Sequence, residues 1–271
     1  MKETNVFNTW HEKNREHLEK CSGKTVAVTF SAGKDSSVCQ YFLNEVKDQY
    51  GFDVRAFMCA YPHHRYTEEV STKLKNYWSE KGVELTVQIP EESDTIMENE
   101  KNPCRPCQNV RKKSLPEIFS YIKESLNEVV IVSGHSLWDI AAYAYNRLLA
   151  EQLAEVDESS ETLSEKRLLE VSQRFYPFFT MPEGYSVFRP LLHLNQPEIH
   201  AFCRENSIPV IEEECRYSGW RPKNNLSDFF EKFGYSFNYE KVIKFAHEHL
   251  KIISLDKITG IESREYLAKH F

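Results

Sequence analysis

Two groups of residues in this chain carry side chains able to do chemistry. The first is Ser31-Ala-Gly-Lys-Asp-Ser-Ser37, which mixes small residues with hydroxyls, one lysine and one carboxylate. It follows the apolar, β-branched run Lys24–Phe30 and precedes an amphipathic stretch from Val38 onward. A strand, tight loop and helix in that order let backbone N–H groups converge on an anion, and the helix dipole and the hydroxyls add to the attraction. The ligand this predicts is a pyrophosphate or triphosphate tail. The spacing GxxxxGK[ST] is absent, so the loop is not of the Walker type. A plain helix cap is the alternative reading, since Ser and Asp favour helix starts without any catalytic role.

The second group is Cys104-Arg-Pro-Cys107, read as a loop, with the basic run Arg111–Lys113 after it and Cys215 as the best third partner. A CxxC serves equally for zinc, for a redox dithiol or for an iron–sulfur site. No second CxxC exists to complete a four-cysteine zinc site. A thioredoxin-like pair would open a helix after the first strand, which is not the position here. Cys21, Cys39, Cys59 and Cys203 fall within helix or strand patterns and read as buried packing residues. Seven cysteines in a chain without an export signal argue for reduced thiols and against a disulfide framework.

The elements that must position these groups alternate. A helix over residues 5–21 leads into a strand ending at Phe30, then a helix, then strands at Asp53–Tyr61, Val83–Pro90 and Asn127–His135. The helix Thr67–Gly82 is closed by its glycine, a helix starts near Gln196, and a short strand is expected at Ile208–Ile211. This alternation predicts an α/β fold with a five-stranded parallel sheet covered by helices on both faces. Residues 151–173 read as a surface helix pair or an insertion. The expected division is an N-terminal helix (1–22), a catalytic domain (23–224) and a helical, aromatic-rich C-terminal extension (225–271).

Composition limits the partners. With 41% hydrophobic and 28% charged residues the chain is an ordinary folded protein. A net charge of −7 lowers the expectation of a nucleic-acid ligand, although a local basic face would suffice. No apolar stretch is long enough to cross a bilayer and the N-terminal segment is polar, so the expectation is a cytoplasmic protein with no membrane partner.

The order Ser31-Ala-Gly-Lys-Asp-Ser36 resembles the SGGxDS signature of the PP-loop ATP-pyrophosphatase superfamily, with Ala32 in place of one glycine. Further along, Cys104 and Cys107, Gly134-His-Ser-Leu-Trp-Asp139 for GHNxxD, Arg189-Pro-Leu191 for RPL, and Ile208-Pro through Cys215-Arg-Tyr-Ser218 look like the tRNA 2-thiolation enzymes of that class, the 2-thiocytidine and 2-thiouridine synthetases. The likeness runs from about Val26 to Ser218.

It implies an adenine nucleotide α-hydrolase-like, Rossmann-like fold that binds ATP. Ser31, Ala32, Gly33, Lys34, Ser36 and Ser37 would cradle the leaving pyrophosphate, and Asp35 would hold Mg²⁺. Phe30, Met58 and Ala60 would lie towards the adenine. Gly134 and His135 would also face the nucleotide, with Asp139 and Arg111 in catalytic roles. Cys104, Cys107 and Cys215 would hold a [4Fe–4S] cluster with one iron free to take sulfide, tRNA would be the partner, and the sulfur donor is left open.

Three positions depart from the pattern. Ser136 stands for Asn, Trp138 for an acidic residue, and Arg111 for the lysine of 2-thiouridine enzymes. An arginine stays protonated, so Arg111 would act electrostatically.

Rival readings are a PP-loop enzyme moving sulfur on a small molecule, an enzyme removing sulfur or resembling sulfonucleotide reductases, and a nucleotide sensor without turnover. His63-His64 read as loop polar residues or ATP contacts, with a metal site as a lesser option. Arg216, Arg221 and Lys223 with Arg111–Lys113 would form a basic rim. The aromatic tail (Phe229, Phe230, Phe233, Tyr235, Phe237, Tyr239) reads as core or a homodimer contact, with base stacking a minority reading.

Overall fold

The β-branched runs of the sequence become a central sheet in the computed structural model, which describes residues 3–113, 118, 121–122, 125–150 and 165–259. Strands β1 (Thr25–Thr29), β2 (Asp53–Cys59), β3 (Glu84–Gln88), β4 (Val129–Val132), β5 (Phe178–Thr180) and β6 (Ser186–Phe188) pair in the order β3-β2-β1-β4-β6-β5. All neighbours are parallel except β5, which runs antiparallel along β6.

The expected sheet is therefore present with two differences. Its fifth parallel strand is Ser186–Phe188, not Ile208–Ile211, and an antiparallel sixth strand extends the edge. Residues 208–211 are irregular chain beside the phosphate loop, where Ile211 N–H donates to the Ala32 carbonyl at 2.8 Å. Apolar content alone could not separate a strand from an extended segment tied to a loop. The missed strands are each only three residues long, below the length at which period-2 patterning is legible.

Alternation along β1 sorts the core. Val26 and Val28 face one side with Val54, Ala56, Met58, Val130 and Val132, under α1 (Glu3–Glu19), α2 (Lys34–Tyr50) and α3 (Glu68–Glu80). Ala27 faces the other side with Phe57, Val129, Ile131, Ile118 and Ile122. Near-continuous apolar strands are what a parallel sheet buried on both faces requires.

The chain then continues as α4 (Cys104–Lys113), α5 (Leu137–Leu148), α6 (Glu165–Arg174), α7 (Gln196–Glu205), α8 (Pro222–Lys232), α9 (Tyr239–His249) and α10 (Leu255–Thr259). α5, α6 and the C-terminal helices share a second apolar cluster around Ile140, Phe175, Leu192 and Leu250. Helix α8 starts ahead of residue 225 and packs on α5. Of the tail aromatics, Phe230 is buried against Trp138, while Phe233 and Tyr235 are exposed. The expected helix pair over 151–173 is described only from residue 165, where α6 begins, and residues 151–164 lie outside the described residues. No described helix is long and apolar enough to cross a membrane.

Phe42 on α2 is fully buried, with ring centroids 4.8 Å from Trp10 and 4.7 Å from Phe202, so it pins α1 and α7 to α2. Phe42→Ala is expected to cost about 3–5 kcal/mol of unfolding free energy in a urea titration. A cost below about 1 kcal/mol would mean that this three-helix contact is not part of the stable core.

Candidate active site

β2 and β3 extend the sheet on one side of β1, while β4 and β6 extend it on the other. The strand order thus reverses between β1 and β4, and the crevice beyond their carboxyl ends is where such sheets bind ligands. A cleft of about 650 Å³ opens there, lined among others by Phe30, Ser31, Asp35, Ser36, Met58, Arg111, Gly134, His135, Asp139, Arg189 and Lys223.

The phosphate loop forms its floor. Ser36 Oγ donates to the Gly33 carbonyl at 3.0 Å and accepts the Ser31 N–H at 3.1 Å, which draws the loop into a tight curl. Helix α2 starts at Lys34 with Gly33 as its N-cap, and no side chain caps it. Its first N–H groups are therefore left for an anion. Ala32 has φ 53°, a left-handed conformation that disfavours a Cβ, which explains the family's glycine there in physical terms. Tyr66 Oη donates to the Ser31 carbonyl at 3.0 Å and Ser37 Oγ to the Pro209 carbonyl at 3.3 Å, so the loop is held from two sides. Gly134 closes against it from β4: a Cβ there would sit 3.0 Å from Ser36 N and 3.1 Å from the Asp35 carbonyl carbon.

Asp35, half-buried, and Asp139, buried, are the carboxylates of the cleft. Asp139 is 1% exposed; its Oδ2 accepts from Ser136 N–H at 2.7 Å and Ser136 Oγ at 2.9 Å, and its Oδ1 pairs with Lys223. Burial pushes its pKa up, but Lys223, His135 and these hydrogen bonds win and hold it below the ordinary value. Asp35 has less support. Gln196 Nε2 donates to its Oδ1 at 3.0 Å and Lys34 lies 3.4 Å from its Oδ2. Burial and the neighbouring Asp139 charge raise its pKa despite Lys34 and Lys223. A carboxylate short of positive charge beside an uncapped helix start has the chemistry to take a divalent cation. His135 receives the opposite treatment: burial lowers its pKa to about 3 against the pull of Asp139, with Arg189 and Lys223 adding to the depression.

Gln108, Arg111 and Lys112 of α4 line the cleft, and Cys107 on the same helix is close enough to Arg111 to feel its charge. The CxxC is not a loop: Cys104 opens α4, with the Asn102 side chain accepting its N–H at 3.2 Å. Cys104, Cys107 and Cys215 are all buried, and free of disulfides. Cys107 feels Cys104 and Cys215 electrostatically; burial leads in raising its thiol pKa, opposed by Arg111 and Arg221. Arg221 hydrogen-bonds Cys104 and takes up the charge of all three, which overcomes burial and raises its own pKa. Among the described residues no three His, Cys, Asp or Glu side chains stand as a ready site for a single metal ion.

Cys215 is held by the turn after β2. Asp94 accepts the N–H groups of His63 at 2.8 Å and His64 at 2.9 Å, and His64 Nδ1 lies 2.7 Å from the same carboxylate. His64 Nε2 then accepts the Arg216 N–H at 3.3 Å, and Arg65 Nε donates to the Glu213 carbonyl at 2.8 Å. The histidine pair is thus bound up in positioning the Cys215 segment.

Several readings change on this geometry. Ala60, Ala32, Gly33, Lys34 and Ser37 are not among the cleft-lining residues, although Lys34 lies 3.4 Å from the Asp35 carboxylate that is. Cys59, read as packing, is only half-buried and lines the cleft. Trp138 points away: its Nε1 donates to Asn195 Oδ1 at 3.0 Å and its ring packs on Phe230. The basic rim is divided, with Arg111, Lys112 and Lys223 in the cleft and Arg221 on the thiols. Gln196 was not foreseen as a site residue. It donates to both Asp35 and Ser136 Oγ (2.9 Å), and its only sequence signal is its place at the start of a capped helix.

Gly134→Ala is expected to leave the fold intact and weaken Mg²⁺–pyrophosphate binding roughly tenfold or more, because the displaced atoms are loop backbone. Ala32→Gly should keep that binding and gain about 1 kcal/mol in thermal unfolding by releasing a left-handed alanine. The depressed pKa of His135 means that the unfolded chain binds more protons below about pH 6.5. Stability should therefore fall as pH drops from 6.5 towards 4, and His135→Asn should flatten that slope; parallel slopes in variant and parent would remove His135 from the account.

No protein-family model matches the chain, and no curated protein matches it. Solved structures do. A U34-tRNA thiolase, NcsA, from Methanococcus maripaludis with its [4Fe-4S] cluster superimposes with a TM-score of 0.62 at 18% identity, covering 92% of this chain and 81% of that one. The NAD+ synthetase of Burkholderia pseudomallei gives 0.48 at 12% identity over 93% and 90%, and the NMN synthetase of Francisella tularensis 0.47 at 10% over 93% and 95%. With its strand order, its glycine-containing loop after β1 and its superposition on the thiolase, the chain has the fold of the PP-loop superfamily.

Proposed function

We propose that this chain is an ATP-dependent sulfurtransferase that adenylates a carbonyl oxygen of a nucleobase in tRNA and exchanges that oxygen for sulfur. One cleft at the switch point of the sheet carries the reading: the uncapped start of α2 with Asp35 lines it, and so does Arg111, whose charge reaches Cys107 of the three-thiol group. The thiolase neighbour, with its cluster, is consistent with it.

Ser31, Ser36 and the first N–H groups of α2 would receive the pyrophosphate end of ATP, and Phe30 and Met58 on the β1–β2 side would pack the adenine. The substrate carbonyl oxygen attacks the α-phosphorus and pyrophosphate leaves. A sulfur nucleophile then adds at the activated carbon, and AMP departs with the former carbonyl oxygen. Lys223 and Arg111 line the cleft as fixed cations and would offset the charge that develops as pyrophosphate and then AMP leave. Gln196 orients Asp35, which would hold Mg²⁺, and His135 is neutral at working pH, available to accept or donate a hydrogen bond.

The buried set Cys104, Cys107 and Cys215, with Arg221 compensating their charge, would hold a [4Fe–4S] cluster. When bound, such a cluster with three protein thiolates supplies an iron open to sulfide. The net charge of −7 favours a second reading in which the acceptor is a small molecule and the ATP chemistry is unchanged.

Pyrophosphate release from ATP should fall by about two orders of magnitude or more in Asp35→Asn, measured with bulk tRNA present. Anaerobic reconstitution should load about four irons and four sulfides per chain, with loading lost in Cys215→Ala. Absence of iron from the parent chain would end the cluster reading, and release that does not depend on Asp35 would end the ATP reading.

A further inference from the structure

The cleft has a second polar wall, at the end of β6, that the ATP chemistry does not use. Arg189, the residue after that strand, lines the cleft yet is only 8% exposed. Its Nη1 donates to the Tyr176 carbonyl at 3.2 Å, its guanidinium lies 5.2 Å over the Phe179 ring, and its Nε has no partner. Among the described residues, the groups that act on its charge are Arg174 and the phenols of Tyr143 and Tyr239; no carboxylate is among them. Burial, with Arg174 adding to it, pulls its pKa down to about 9.

A guanidinium taken out of water without a counter-charge carries a desolvation cost, which here one carbonyl and one ring face offset in part and no described carboxylate does. Gln173, on α6 next to Arg174, lines the same cleft with a buried Nε2 that also lacks a partner. His135, neutral and close enough to feel the charge of Arg189, stands between this wall and Asp139, whose charge acts on it more strongly and is already paired with Lys223. Buried donors without a protein partner, on residues that line one cavity, suit a site completed by its ligand.

We propose that Arg189 and Gln173 form a phosphate subsite for the acceptor substrate, separate from the Ser31–Ser37 loop. β4 lies between β1 and β6, so the two anion positions stand two strand spacings apart, about 10 Å. On the reading above, the nucleotide runs from the loop towards Phe30 and Met58, on the β2 side and away from Arg189. The anion at Arg189 then belongs to the other reactant: a phosphodiester of an RNA strand or the phosphate of a small nucleotide, which share this chemistry. The assignment to the acceptor rests on that reading; the existence of the subsite does not.

The test is calorimetric titration of the full chain with inorganic phosphate while Mg²⁺–pyrophosphate saturates the loop. The parent chain should bind a further phosphate, Arg189→Gln should weaken it roughly tenfold or more, and Gln173→Leu about threefold. Uridine 5′-monophosphate should compete for that phosphate and uridine should not, while a short phosphodiester oligonucleotide without a terminal phosphate competes only if the site takes a strand. AMP affinity, measured without pyrophosphate, should stay within about twofold in both variants.

Equal phosphate affinity in the parent and Arg189→Gln, or no further phosphate in the parent, overturns the proposal. An AMP affinity that falls together with phosphate affinity also overturns it, because the guanidinium would then serve the nucleotide's own phosphate. Should Arg189→Gln fail to fold, unchanged phosphate binding in folded Gln173→Leu is the overturning result. None of these readouts involves iron, sulfur or turnover, so they fail independently of the sulfurtransferase reading.

Discussion

Two carboxylates at neighbouring strand ends, Asp139 buried and Asp35 half-buried, set the terms for the rest of this site. Asp35 and Asp139 each raise the cost of ionising the other, and neither can be left without donors. The chain resolves this asymmetrically. Asp139 receives the Ser136 cap and Lys223, and is held ionised; Asp35 receives a shared amide from Gln196 and a more distant lysine. The imbalance leaves one carboxylate satisfied by protein and the other in need of positive charge from a ligand. Much of the surrounding architecture follows, from α8 delivering Lys223 out of the C-terminal extension to α7 delivering Gln196 between the two motifs.

The thiol group obeys the same rule with different means. Three buried cysteines would be poor thiolates if burial acted alone, and Cys107 shows that upward push. Arg221 brings the compensating cation, and the Asp94–His64 contact holds the Cys215 segment where that cation reaches it. Here a hydrogen-bonded histidine pair serves as a fastening, which its position after a strand did not reveal. Arg189 stands apart because its charge is left without such a partner. The cleft thus leaves two charges short of a protein partner, Asp35 in need of a cation and Arg189 of an anion, which is the basis of the phosphate subsite proposed above.

The departures from the family pattern have local causes. Trp138 replaces a polar residue because that position faces the helical extension and packs on Phe230, so it needs apolar area. Ala32 tolerates a left-handed backbone because the loop is clamped by Tyr66 and by the segment around Ile211. Ser136 supplies what its position requires, a short hydroxyl that caps α5 and accepts from Gln196.

Sequence alone determined the strand–loop–helix unit around Ser31–Ser37, the first four parallel strands and the helical character of the C-terminal region. These are local, periodic signals, written within windows of ten to twenty residues. Type and spacing also marked the Ser31–Ser37 loop and the three cysteines as candidates, and the family resemblance added the roles of Asp35 and Asp139. Tertiary structure decided the rest. Strands of three residues carry too little pattern to be seen, and an extended apolar segment at Ile208–Ile211 reads as a strand until its hydrogen-bond partner is known to be a loop. Gln196, Lys223, Arg221 and His64 gain their roles from partners distant in sequence, such as the 161 positions between Gln196 and Asp35. No periodicity encodes such pairings, because they arise only when packed helices bring separate strand ends and loops to one cleft.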